Sequence, residues 1–130
     1  MNVTFTETMA GTYTGKDGHQ APIIFEVDAS APGAKSFITG SPIVLSGTIT
    51  IGGLARTVPL TGTLAVRLFR LSKRELIYDL EFQDDDGKLC RYEARKNVSL
   101  LRPLATMTTL HGQVFREQEV IGTATVHFEL

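Results

Sequence analysis

Val58-Pro59-Leu60-Thr61-Gly62-Thr63-Leu64-Ala65-Val66-Arg67-Leu68 puts an apolar residue at every second position, interrupted only where Gly62 stands. Successive Cβ atoms of a strand point to opposite sides of a sheet, so a period of two predicts a long strand with one buried face. A glycine on that buried side suits a bend in the sheet. Gly47 does the same between Ile43, Leu45, Ile49 and Ile51. The pattern then extends in both directions. Val3, Phe5 and Met9 alternate with threonines, and Ile23, Phe25 and Val27 with Ile24, Glu26 and Asp28. Leu76, Tyr78, Leu80 and Phe82 form a fifth strand, and Cys90, Tyr92 and Ala94 a sixth. Thr108, Leu110 and Val114 mark a seventh, and Val120, Ala124, Val126 and Phe128 an eighth.

The links predict how the strands pair. Gly52-Gly53, Asp84-Asp85-Asp86-Gly87 and Arg116-Glu117-Gln118 are short and polar, as hairpin turns are. Only Ala29–Ser41 reads as long, with Phe37 and Ile38 an apolar pair that either plugs the core or forms a lid. About eight hairpin-linked strands use up the chain and leave no length for a substantial helix. The expected fold is all-β: a single domain, 1–130, built as an antiparallel, calycin-like up-and-down barrel. A bent two-sheet sandwich would leave the same alternation.

Composition narrows the function classes. The 130 residues carry 13 Lys plus Arg against 14 Asp plus Glu, a formal charge of −1, without the basic excess of a nucleic-acid binder. One cysteine makes no internal disulfide, and Met1-Asn2-Val3-Thr4 does not read as a signal peptide, so the cytoplasm is the expected address. No apolar run is long enough for a membrane helix.

Strand parity selects the candidate site. Glu7 shares parity with Phe5 and Met9, and Lys96 with Cys90, Tyr92 and Ala94, so a carboxylate and an amine both face inward. Burying either charge alone costs several kcal/mol, which predicts a Glu7–Lys96 pair or a water or ligand between them. Tyr78 and Thr108 add a phenol and a hydroxyl to the same interior. Such a network either fixes strand register or forms the polar end of an apolar pocket. The ligand-binding candidates are therefore Phe5, Glu7, Met9, Tyr78, Phe82, Tyr92, Lys96 and Thr108, with Leu64 and Val66 as further lining.

Other chemistries have weaker claims. His111 and His127 take the outward parity, His19 lies by a turn, and no spacing suits a metal. The Asp84–Gly87 run lacks the length and downstream glutamate of a calcium loop. No G-x-S-x-G elbow occurs, and Cys90 among apolar neighbours reads as an inert core thiol. Arg67, Arg70, Lys73 and Arg74 straddle a hairpin and are expected to be offset by Asp79, Glu81 and Asp84.

One resemblance covers nearly the whole chain. Phe5-Thr6-Glu7-Thr8-Met9-Ala10-Gly11 resembles the F-x-E-x-M-x-G start of a small β-rich domain attached to cholesterol-oxidase-like GMC flavoprotein oxidoreductases. Leu76–Phe82, Gly87–Val98 with Lys96, Thr106–Leu110 and the stretch from Gly122 resemble its later strands, although Cys90 replaces an aromatic residue and Ala94 a glycine. The resemblance implies an accessory module. No flavin-binding G-x-G-x-x-G is present and no cofactor is implied, so the chain is not itself the oxidase.

Three functions follow as expectations. The first is a stand-alone binding module holding a sterol- or lipid-like molecule in the barrel. The second is a small isomerase or cyclase with Glu7 as general base and Lys96 or Tyr78 orienting the substrate. The third is a docking domain for a flavoprotein oxidoreductase or for an identical subunit.

Overall fold

Eight antiparallel strands close into a barrel in which each strand bonds to its neighbours in sequence and the last returns to the first. In the computed structural model, residues 3–31, 43–70, 73–99 and 109–128 are described, with side chains at all of these positions except 3, 5, 31, 66–70, 73–74 and 96–99. The strands are β1 Val3–Gly15, β2 Gln20–Ala31, β3 Ile43–Ile51, β4 Ala55–Arg70, β5 Lys73–Gln83, β6 Leu89–Ser99, β7 Thr109–Arg116 and β8 Glu119–Phe128. The described residues contain no helix, and so none long and apolar enough to cross a membrane.

Alternation builds this wall as the sequence predicts. Along β2, Ala21, Ile23, Phe25, Val27 and Ala29 are buried while each residue between them is exposed. Across the barrel Met9, Leu80, Tyr92, Leu110, Val114 and Val126 are fully enclosed. The outer wall carries Thr6, Thr12, Glu26, Thr48, Thr61, Glu81, Gln113 and Thr123. Apolar inside and polar outside is the inverse of a membrane-spanning barrel, whose apolar side chains face lipid. The bends fall where glycine allows them. A Cβ on Gly47 would overlap the carbonyl oxygen of Glu26, and one on Gly62 that of Asp79.

Register and closure together decide which side chains meet. Hydrogen-bonded partners followed round from Glu7 pass through Val27, Gly47, Leu60, Phe82, Cys90 and Arg116 to Glu119. The β1–β8 ladder, however, stops at Gly15↔Gly122, so that path ends level with the β1–β2 turn and not with Glu7. The strands are thus tilted to the barrel axis, as closing eight of them requires. The side chain that faces Glu7 across the interior consequently comes from the middle of β5, not from Phe82 near its end.

The barrel has two unlike ends. One carries four short links, 16–19, 52–54, 84–88 and 117–118. At the other lie 32–42, 71–72 and 100–108, which are outside the described residues and include Phe37, Ile38 and Thr108. The expected long link Ala29–Ser41 falls largely on 32–42 and so lies outside the described residues, as do 100–108. One correction concerns charge. Register sets Asp79 opposite Thr63 and Glu81 opposite Thr61, while Asp84 lies at the short-link end, so none of the three stands across from Arg67 or Arg70.

Candidate functional site

Glu7 and Tyr78 come from strands on opposite sides of the barrel, β1 and β5. The Tyr78 hydroxyl donates to Glu7 Oε2 at 3.2 Å, a contact between residues 71 apart in sequence. Tyr78 is 1% exposed, whereas Glu7, although it faces inward beside the enclosed Met9, keeps intermediate exposure. Leu76, the next inward residue of β5 toward the long-link end, keeps intermediate exposure as well. The phenol is thus fully enclosed, while Glu7 and Leu76 are only partly buried.

Burial drives the Tyr78 phenol far above its ordinary pKa, and the Glu7 charge and the hydrogen bond to it push the same way. The phenol is thus a fixed proton donor at any ordinary pH and does not exchange its proton near neutrality. Its contribution is to orient the Glu7 carboxylate.

Below this level the interior is filled. Tyr92 of β6 donates to the Ala124 carbonyl at 3.0 Å, and burial raises its phenol pKa too. Its ring meets Phe25 of β2 with centroids 6.0 Å apart and planes tilted by 59°, a favourable edge-on geometry. Small neighbours make room for the two tyrosines. Gly112 is in register with both Ala94 and Ala124, and a Cβ on it would lie 2.5 Å from that of Ala94.

The candidate residues divide into distinct groups. Glu7 and Tyr78 touch, and Met9 and Tyr92 pack beneath them. Phe82 is buried but lies four residues further along β5 than Tyr78, about 13 Å toward the short-link end. The backbone places Lys96 opposite Leu76 in the β5–β6 ladder, at the next inward position after Ala94. The side chains of Lys96, Phe5 and Val66 are outside the described ones, as is Thr108 altogether, and so the expected Glu7–Lys96 pair is as well.

Two features of the short-link end escape the sequence reading. Asp84, with a side chain 1% exposed, sits 2.9 Å from Arg116 Nε and accepts the backbone N–H groups of Asp86 and Lys88 at 3.0 and 2.8 Å. Tyr13 donates to the Ile121 carbonyl at 3.1 Å. Proximity of Asp84 to Arg116 follows from the β6–β7 register, which sets Arg116 opposite Cys90 beside the turn that Asp84 opens. The Cys90 thiol, donating to the Lys88 carbonyl at 3.6 Å, is pushed up to about 11, chiefly by burial. It is protonated and unreactive.

The remaining polar candidates lie on the outer wall. His111 and His127 each share a hydrogen bond with a facing threonine, Thr125 at 3.0 Å and Thr109 at 2.9 Å. Among the described residues no group of three or more His, Cys, Asp or Glu is arranged to hold a metal ion. Two grooves also open outward. One of about 540 Å³ runs past Leu89, Arg91, Phe115 and Glu117, and one of about 360 Å³ past Thr6, Asp28, Val44 and Ser46. Comparison of the chain with protein-family models, curated proteins and solved structures finds no match in any of the three.

Proposed function

We propose that the barrel is a non-catalytic binding module that takes a small apolar, sterol- or lipid-like molecule at its long-link end, with Glu7 and Tyr78 as the polar floor of the site. The supporting observation is the Tyr78–Glu7 hydrogen bond across the interior, between a buried phenol and a residue of intermediate exposure. Pockets that orient one small molecule are mostly apolar with a few convergent polar groups. The inward apolar residues at this depth, Ala29, Leu45, Leu64 and Leu76, meet that description. Packing of Phe25, Tyr78 and Tyr92 keeps any ligand from the interior on the short-link side of Glu7. The sterol class rests on the resemblance to the oxidase-associated accessory domain, which also makes a flavoprotein oxidoreductase the proposed partner.

The test is a thermal-shift series with sterols, fatty alcohols and fatty acids. A ligand present at a hundred times its Kd stabilises the fold by about 2.7 kcal/mol. Saturable stabilisation of the parent protein that is weakened in Glu7→Gln supports the site, and no stabilisation by any compound at saturating concentration rejects it.

A further inference from the structure

Two Asp-Gly pairs occur in the chain, Asp17-Gly18 and Asp86-Gly87. Each lies in a hairpin link of the same build. Between β1 and β2 the Gly15 N–H donates to the His19 carbonyl and the Gly18 N–H to the Gly15 carbonyl, at 2.8 and 2.9 Å. Between β5 and β6 the Asp84 N–H donates to the Lys88 carbonyl and the Gly87 N–H to the Asp84 carbonyl, both at 2.9 Å. Gly18 and Gly87 have φ of 86° and 79°, a left-handed conformation that suits glycine. The links therefore correspond position for position, Gly15 to Asp84, Asp17 to Asp86 and His19 to Lys88.

The first of these positions sets them apart. Asp84 Oδ1 accepts the N–H groups of both Asp86 and Lys88, at 3.0 and 2.8 Å. With the Lys88 N–H so engaged, the Asp86 carboxylate reaches instead to Arg116 Nη2 of β7, at 3.3 Å. Gly15 has no side chain to play the part of Asp84. Asp17 accordingly accepts the His19 N–H on its own Oδ1, at 2.9 Å, and is folded so far over the turn that a Cβ on Gly15 would lie 3.0 Å from that oxygen. An aspartate bonded to the N–H two residues on has its carboxyl carbon laid against the nitrogen between, here that of Gly18.

We propose that Asp17-Gly18 is a site of spontaneous backbone modification, at which Asp17 becomes isoaspartate through a cyclic imide, and that Asp86-Gly87 is protected from the same reaction. The Gly18 nitrogen attacks Cγ of the Asp17 carboxyl group, and the amide proton and a carboxyl hydroxyl leave together as water. Water then adds to the main-chain carbonyl carbon of Asp17, and the bond from that carbon to the Gly18 nitrogen breaks. The main chain now runs through Cβ and Cγ, one carbon longer, with no net gain or loss of atoms and no further reactant.

Holding the reacting atoms together is what accelerates such a ring closure. Access does not distinguish the two sites, since a Cβ on either Gly18 or Gly87 would meet nothing within 4 Å and both aspartates are exposed. Nor do the hydrogen bonds of the attacking nitrogens, which are both 2.9 Å. The difference lies in where each carboxylate is held. The proposal is independent of what the barrel interior holds.

Incubation of the folded protein at neutral pH, then cleavage after glutamate and mass spectrometry with electron-transfer fragmentation, tests it, because Thr8–Glu26 carries one pair and Phe82–Glu93 the other. Isoaspartate is expected to build up at position 17 about fivefold faster than at position 86, the factor to which the contribution of one hydrogen bond corresponds. In guanidinium chloride, where neither turn persists, the two sites should react alike. Gly15→Asp gives the first link the clamp of the second and should bring position 17 down to the rate of position 86. Equal rates at the two sites of the folded protein, faster reaction at position 86, a ratio that persists unchanged in denaturant, or an undiminished rate in a folded Gly15→Asp variant overturns the proposal.

Discussion

The two ends of the barrel are built on different principles. At the short-link end, neighbouring turns bond to one another: the Asp85 N–H donates to Leu54, Glu117 to Leu89 and Lys16 to Ile121, at 3.0, 2.9 and 3.1 Å. Asp85 also accepts the Arg56 N–H at 2.9 Å, and Asp84 with Arg116 closes the centre of that face. Toward the other end the inward Glu7 is only partly buried and accepts from Tyr78, and the sequence of the β4–β5 hairpin beyond it is strongly basic. One end fixes register through bonds between turns and an enclosed acid beside an arginine, whereas toward the other the polar group inside, Glu7, is met by a phenol from the opposite wall.

The largest expected effect breaks the sealed end. Asp84→Ala strands two backbone N–H groups and the partly exposed Arg116, and should cost about 3 kcal/mol in chemical denaturation. A loss no greater than that of an exposed site would show that the turns, not this carboxylate, hold the end together.

Next come the interior phenols. Both Tyr78 and Tyr92 have pKa values raised in the fold above the ordinary 10.0. The folded state thus keeps protons that the unfolded chain gives up. Their contribution is complete below about pH 10 and is lost as pH rises beyond it, at about 1.4 kcal/mol per pH unit for each tyrosine. Denaturation midpoints followed from pH 9 to about 11 should fall steeply in the parent and less steeply in Tyr78→Phe.

A smaller effect sharpens the sealed end. Glu117 and Gln118 form the β7–β8 turn with φ of 50° and 74°, a left-handed pair better suited to Asn-Gly. Gln118→Gly should stabilise by about 0.5–1 kcal/mol, seen as a higher melting temperature. The smallest change lies on the wall between the ends. Asp79, raised in pKa by burial and partly relieved by Arg91, stands opposite Glu93, where like charges repel. Asp79→Asn should leave stability within about 0.5 kcal/mol of the parent.

Much of this was legible in the residues. The unbroken alternation of β2 and the glycine-interrupted alternation of β4 specify inward and outward faces, and the polar links specify neighbour pairing, because both signals are local. Glu7 was placed inside by the same parity. What parity does not carry is the stagger of a closed barrel. That stagger brings Tyr78 to Glu7, and it depends on the tilt of all eight strands, which no single stretch encodes. Exact register between neighbouring strands, which alternation also leaves open, sets Asp84 beside Arg116 and removes Asp79 and Glu81 from the basic hairpin.

The most direct test of the division between the ends is amide NMR during titration with the compound that stabilises the protein best in the thermal series. Saturable shifts confined to residues 6–10, 76–80 and 94–95, with the amides of 16–19, 52–54, 84–88 and 117–118 unmoved, are predicted. Shifts centred on those four turns, or on the outer groove at Leu89 and Phe115, would contradict the account.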